Sequence, residues 1–197
     1  MKEKKYDFII LSDIRTGSHL LGDALNSHPQ IACEGEEKDN GKIIYKKAQA
    51  SHITGKLFKY AEYYKKEKTF PETKKIIHLT RNPKDVALSD IMNHTDKAEN
   101  KFHISHFFGG EKEQHFKFNQ ENIDAKILHY KRLLNWFSKK IKKYPCLVVR
   151  YENLTYNKEV KQIVESEAKR ILDFLELEYY PLKTRLVKSK RIYKIQK

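Results

Sequence analysis

The sequence predicts a three-layer α/β domain, a central parallel β-sheet flanked by helices on both faces. Three observations carry that expectation. Short apolar runs suited to strands alternate along the chain with stretches of helical periodicity. The first run, YDFIILS from Tyr6 to Ser12, is apolar without alternation, as a strand covered on both faces must be. The length of 197 residues fits one domain spanning 1–197, and no repeat, low-complexity segment or linker divides it.

After Tyr6–Ser12, the turn Asp13-Ile14-Arg15-Thr16-Gly17 leads to Ser18, which can cap a helix through Asn26 with Leu20, Leu21, Ala24 and Leu25 on one face. Ile31-Ala32-Cys33 reads as a short strand, and Glu34 to Glu37 as a polar loop at its end. A helix near Ile43–Ala50, a strand at Ile53–Phe58 and a helix around Tyr60–Lys66 follow. Lys75–Thr80 is a further strand. Pro83 then opens a helix to about Met92, because proline suits a first helical turn.

Residues 93–117, with several His and Phe and the pair Gly109-Gly110, read as a long loop or lid. From Gln120 to Lys143, Ile123, Ile127, Tyr130, Leu134, Phe137 and Ile141 recur at helical spacing until Tyr144-Pro145. Cys146–Val149 is a strand, Lys158–Leu175 a helix, and the tail beyond Tyr179 is basic.

Composition narrows the classes. Hydrophobic residues at 39% argue against disorder, and 7 Gly with 5 Pro exclude a collagenous chain. Cys33 and Cys146 are too few for a disulfide framework or a four-cysteine zinc site, and both read as reduced and buried. No apolar run reaches the ~20 residues of a membrane helix. Asp13 and Arg15 follow the first apolar stretch too soon for a secretory signal, so a cytoplasmic protein without a transmembrane segment is expected. The net charge of +14 implies an anionic partner. Its lysines are scattered and mixed with Glu, so a solvated surface is the plain alternative.

The first turn is the leading candidate for binding. Ligands of such sheets sit beyond the carboxyl ends of the strands. There Gly17 allows close backbone approach, helix N–H groups face outward, Ser18 and His19 add donors, and Arg15 adds a fixed charge. The bland reading is a glycine-containing turn with a capping serine. No Gly-Lys-Ser/Thr follows, which excludes a Walker A loop, and a single glycine excludes the dinucleotide fingerprint. Far along the chain, Arg81 stands at a strand end and Ser89 lies two helical turns later, able to hold a second phosphate. Pairing of Arg81 with Asp85 is the alternative. The two-site reading requires Arg81 and the glycine turn to lie at the same end of the sheet.

Ile14-Arg15-Thr16-Gly17-Ser18-His19-Leu20-Leu21, then Arg81 with Ser89 eight positions on, then Val148-Val149-Arg150-Tyr151-Glu152-Asn153-Leu154 together resemble the sulfotransferases that use 3′-phosphoadenosine 5′-phosphosulfate (PAPS). Leu25-Asn26-Ser27-His28-Pro29 and Cys33-Glu34-Gly35-Glu36 are most similar to bacterial carbohydrate sulfotransferases of the nodulation-factor type. Ile14 stands where the family usually has proline, and the chain is short for the family.

The resemblance implies the family's P-loop-NTPase-like fold, with PAPS as co-substrate, PAP as product and no metal. It places Arg15 at the leaving-group oxygen, Thr16, Gly17, Ser18 and His19 around the 5′-phosphate, and Arg81 and Ser89 on the 3′-phosphate. Glu36 would be the general base for a hydroxyl-bearing acceptor, a saccharide or glycolipid, with Glu34 and Glu37 as register neighbours and a solvated acidic loop as the alternative. His103 and His106 have no assigned partner. Residues 38–52 and 93–118 would shape the acceptor pocket. A basic nucleic-acid-binding protein is a rival, for which a clustered basic stripe is lacking, and a non-catalytic nucleotide-binding protein of the same fold is another. No specific nucleic-acid partner is expected.

Overall fold

The computed structural model describes residues 5–38, 41–44, 49, 51–65, 69–100, 115–154, 162–184 and 192–196. The central sheet holds β1 (Tyr6–Ser12), β2 (Ile31–Lys38), β3 (Gly41–Ile44), β4 (Ile53–Lys59), β5 (Thr73–Thr80) and, taking the strand Cys146–Arg150 as β7, runs in the order β3-β2-β4-β1-β5-β7. Five of these strands are parallel. Only β3 is antiparallel, pairing with β2 at the sheet edge. The helices are α1 (Ser18–Leu25), α2 (Tyr60–Lys65), α3 (Pro83–Asn100), α4 (Gln120–Lys140), α5 (Tyr151–Leu154) and α6 (Glu165–Phe174), with a 3-10 turn at Ile141–Lys143. β6 (His115–Asn119) and β8 (Ile192–Gln196) form a separate parallel pair.

β1 explains why its sequence is apolar without alternation. It lies between β4 and β5, with Ile10 in register with Leu57 on one side and Ile77 on the other. Phe8 and Ile10 enter a core with α1 and α6, whereas Ile9 and Leu11 enter a second core with α2 and α4. In the second core Phe137 of α4 is fully buried and stacks on Tyr60 at 4.0 Å between ring centroids. Burial of one such side chain contributes about 1.5–3 kcal/mol.

Several boundaries differ from the sequence expectations. Glu34–Glu37 is not a loop but the second half of β2. Glutamates have little intrinsic strand preference, but Glu34 pairs in register with Lys56 and accepts a 2.9 Å hydrogen bond from the Tyr6 hydroxyl. Ile43 and Ile44 belong to β3 rather than to a helix, completing the hairpin with β2, and 45–48 and 50 lie outside the described residues. α3 passes Met92 and reaches Asn100, because its apolar face ends there but no Gly or Pro stops the backbone. The expected lid over 93–117 is therefore helix at its start and β6 at its end, with 101–114 outside the described residues. α6 begins at Glu165, later than expected, and 155–161 are not described. Cys33 is buried, but Cys146 is only half-buried at the start of an edge strand; both are free thiols.

Candidate functional site

The turn after β1 is built by its own polar groups. The Thr16 hydroxyl donates to the Asp13 carbonyl at 2.8 Å, and the Ile14 amide donates to the Asp13 carboxylate at 2.8 Å. Arg15 and Gly17 both take left-handed backbone, at φ 62° and 93°. For Arg15 that conformation costs about 1–2 kcal/mol, strain of the kind concentrated at binding sites. Gly17, not Ser18, is the N-cap of α1; Ser18 is its first residue, and its buried hydroxyl is used elsewhere. A Cβ on Gly17 would stand 2.3 Å from Cδ2 of Tyr151, so only glycine fits between the turn and that ring.

Arg81 approaches the same turn from the neighbouring strand. Its Nη1 donates to the Arg15 carbonyl at 2.9 Å, and its guanidinium lies 4.4 Å from the centroid of the Tyr151 ring. Arg15 Nε donates to the Ser89 hydroxyl at 3.1 Å. Arg15, Gly17, Arg81 and Ser89 therefore meet at the carboxyl end of β1 and β5, and Tyr151 packs under both the glycine and the Arg81 guanidinium. The start of α3 is held by further bonds, from the Arg81 amide to the Tyr130 hydroxyl at 3.2 Å and from the Asn82 amide to Glu152 at 2.7 Å. Among the described residues, Arg81 Nε is buried without a hydrogen-bond partner. An orphaned donor of a guanidinium is a place where an anion fits.

Sequence reasoning missed Lys59. The strand expected to stop at Phe58 continues one residue, and β1–β4 pairing puts Lys59 in register with Ser12. Its ammonium contacts the Ser18 hydroxyl and donates to the Asp13 carbonyl at 3.2 Å, with Ser12 Oγ at 3.5 Å; the residue is 6% exposed. A lysine closing an apolar strand was the available signal. Burial pushes the Asp13 carboxyl above its usual range, opposed by its bond from the Ile14 amide and by Lys59. Cations from three strand ends thus surround one turn.

The remaining candidates are spread more widely. Thr16 is fully buried and Ser18 nearly so, while His19 is half-buried on α1. Glu36 lies in β2, three residues beyond Cys33, which shares its level in the sheet with Gly55 and Phe8. Glu34, which accepts from the Tyr6 hydroxyl, stands level with Lys56 and Ile9, midway along β1 and short of the turn. His28 serves its own bend: Nδ1 accepts from the Gln30 amide at 3.1 Å. His103 and His106 lie outside the described residues. Among the described residues no group of three or more His, Cys, Asp or Glu is arranged to hold a metal ion, and no helix is long and apolar enough to cross a membrane.

Residues 43–181 match the Sulfotransferase family model, and the chain belongs to that family. The matched span contains Lys59, Arg81, Ser89 and Tyr151 but begins after the glycine turn and Glu36. In structure, the chain is similar to a sulfotransferase from Alicyclobacillus acidocaldarius, with 13% identity, a TM-score of 0.55, and coverage of 95% of this chain and 87% of that one. That likeness extends to the fold, a parallel five-strand sheet flanked by helices. It is also similar to mouse sulfotransferase SULT7A1, solved in complex with PAP, with 17% identity, a TM-score of 0.48 and coverage of 90% of this chain; it spans 60% of the mouse chain. A search of curated proteins finds no match.

Proposed function

We propose that the whole chain, 1–197, is one catalytic domain that transfers a sulfuryl group from PAPS to the hydroxyl of a carbohydrate or glycolipid acceptor. The observation that carries this reading is the 2.9 Å bond from Arg81 to the Arg15 carbonyl, which brings together two candidate anion-binding segments 66 positions apart. The donor supplies an activated sulfuryl group on a doubly phosphorylated adenosine. The backbone amides of Thr16, Gly17, Ser18 and His19 receive its 5′ end, while the Thr16 and Ser18 hydroxyls, engaged by the Asp13 carbonyl and Lys59, hold the turn in shape. Arg81, with its unpaired Nε, and Ser89 receive the 3′-phosphate, which distinguishes this donor from ATP.

Arg15 and Lys59 place fixed positive charge beside the turn, where charge develops on the leaving oxygen; such preorganised donors supply most of the barrier reduction in transfers of this type. Glu36 takes the proton from the acceptor hydroxyl as the new S–O bond forms and the old one breaks.

Calorimetry with 3′,5′-ADP and with ATP tests the site. Tight binding of the former, weakened ~10–100-fold by Arg81→Ala through loss of charge-assisted hydrogen bonds, is expected. Equal affinity for both nucleotides sinks the assignment. With labelled donor, Glu36→Gln should abolish transfer to a saccharide acceptor while leaving 3′,5′-ADP binding intact. Glu34→Gln, two residues earlier on β2 where the carboxylate is held by Tyr6, should retain it.

A further inference from the structure

Between positions 125 and 151 the chain carries eight Lys or Arg and no Asp or Glu. This corrects the sequence-level picture of evenly scattered lysines, because all but Arg150 of these cations fall in α4 and the 3-10 turn that continues it. Tyr130 and Phe137 of α4 are buried against the sheet and its Ile123 against α3, which leaves Lys131, Arg132, Lys139 and Lys140, with Lys142 and Lys143 of the following 3-10 turn, on the outer surface. None of these six forms an ion pair with a described residue. Several lysines elsewhere are paired: Lys74 with Asp7, Lys75 with Glu176, Lys169 with Glu165.

The track also has aromatic character and a starting point. Trp136 stacks on Tyr64 of α2 at 5.7 Å, Tyr64 is 48% exposed, and Lys140 Nζ lies 5.1 Å from the Trp136 ring centroid. Leu128, 49% exposed, lies near the middle of the outward face. Near the helix midpoint, Tyr130 accepts from the Arg81 amide, and one turn earlier Lys126 pairs with Asp90, the neighbour of Ser89. α4 therefore passes the candidate site at its midpoint and runs on toward Pro145, whose carbonyl accepts from the Ile76 amide within β5. From Lys126 to Lys140 the helix covers about 21 Å at 1.5 Å per residue.

We propose that the outer face of α4 is a binding track for an acidic polysaccharide, a uronate- or sulfate-bearing polymer whose reacting sugar lies at the Arg15–Arg81 site while its following residues run along the lysines. The assignment of the polymer as acceptor rests on the sulfotransfer reading; the track itself does not. Lysine ammonium groups neutralise carboxylates and sulfates as point charges, and the exposed Tyr64 ring offers a face to a sugar. An anionic membrane fits less well, because a helix that inserts at an interface needs a free apolar face and that of α4 is spent on the core. Nucleic acid fits less well because five of the six cations are lysines, not the arginines that grip phosphate bidentately.

The test is fluorescence anisotropy with labelled decasaccharides of hyaluronan (carboxylate only) and heparin (carboxylate and sulfate), neutral dextran of equal length, a single-stranded DNA oligonucleotide and phosphatidylserine vesicles. Salt-sensitive binding to either acidic glycan, absent for dextran, is expected; which glycan binds more tightly separates uronate from sulfate recognition. Combined Lys139→Gln, Lys140→Gln, Lys142→Gln and Lys143→Gln should weaken it at least ~10-fold and flatten its salt dependence. Lys131→Gln with Arg132→Gln is the second variant should the first fail to fold. The inference is overturned if neither variant weakens glycan binding, or if DNA or vesicles bind more tightly than both glycans at the same salt. Calorimetry of 3′,5′-ADP on the wild type separates the two readings: glycan binding through α4 without nucleotide binding overturns the sulfotransfer assignment and leaves the track standing.

Discussion

Substituting Gly17 by alanine tests the geometry of the turn with two separable costs. The first is backbone: at φ 93° an L-residue pays roughly 1–2 kcal/mol for left-handed conformation. The second is contact. The new methyl would stand 2.3 and 2.5 Å from two carbons of the Tyr151 ring, which is 8% exposed and lies against the Arg81 guanidinium. Overpacking of that kind costs a further ~1–3 kcal/mol, so Gly17→Ala should destabilise by roughly 2–5 kcal/mol in all. For a chain of this length, that lowers Tm by roughly 4–20 °C. The assay is a double-mutant cycle by urea unfolding. In a Tyr151→Ala background the obstructing ring is gone, and Gly17→Ala should cost only its backbone share. A cost equal in both backgrounds, within ~0.5 kcal/mol, would refute the ring contact as its cause. A total below ~1 kcal/mol would refute the backbone argument too.

Lys59→Met keeps the length of the side chain and removes its charge; 3′,5′-ADP affinity should fall about 10-fold or more by calorimetry, the worth of a charge-assisted hydrogen bond, and an unchanged affinity would remove Lys59 from the site. His78 sets an acid limit on stability. It is buried at 1% exposure with Tyr60 Oη 2.5 Å from Nε2, and burial alone lowers its pKa from 6.5 to about 4. Between those values the unfolded chain binds a proton that the folded chain refuses, so stability is complete above pH 6.5 and falls as the pH drops toward 4, by about 3 kcal/mol in order of magnitude. Urea unfolding from pH 7 to 4 should show this loss, and His78→Gln should remove it; a parallel pH profile for the variant would exclude His78 as the source.

The legible parts of the fold were those with a local signal. Tyr6–Ser12 announces a doubly covered strand because both of its faces are apolar, and α4 announces itself because Ile123, Tyr130 and Phe137 recur at helical spacing. What was not legible depends on partners distant in sequence. Glu34–Glu37 looks like a solvated loop until Tyr6 and the β3 hairpin supply its hydrogen bonds, and β6 pairs with β8 more than 70 positions away. In the site, Arg15, Gly17, Arg81 and Ser89 could be singled out by position relative to strand ends. The bond between Arg15 and Ser89 could not, nor could the role of Tyr151 beneath Gly17, since no spacing rule relates those residues.

The strand order explains why these groups converge. β1 is central, so the two strands hydrogen-bonded to it, β4 and β5, must end beside whatever turn follows β1. A residue that closes β4 or immediately follows β5 therefore flanks that turn whatever its separation in sequence. Here both are cationic, Lys59 on one side and Arg81 on the other, and both donate to backbone carbonyls of the turn itself, Asp13 and Arg15. Those carbonyls are acceptors, and their occupation by the two side chains fixes the cations in place before any ligand arrives. The charge at this end of the sheet is thus preorganised by topology: moving either residue by one position along its strand would turn its side chain to the opposite face and leave the turn with cationic support from one neighbouring strand instead of two.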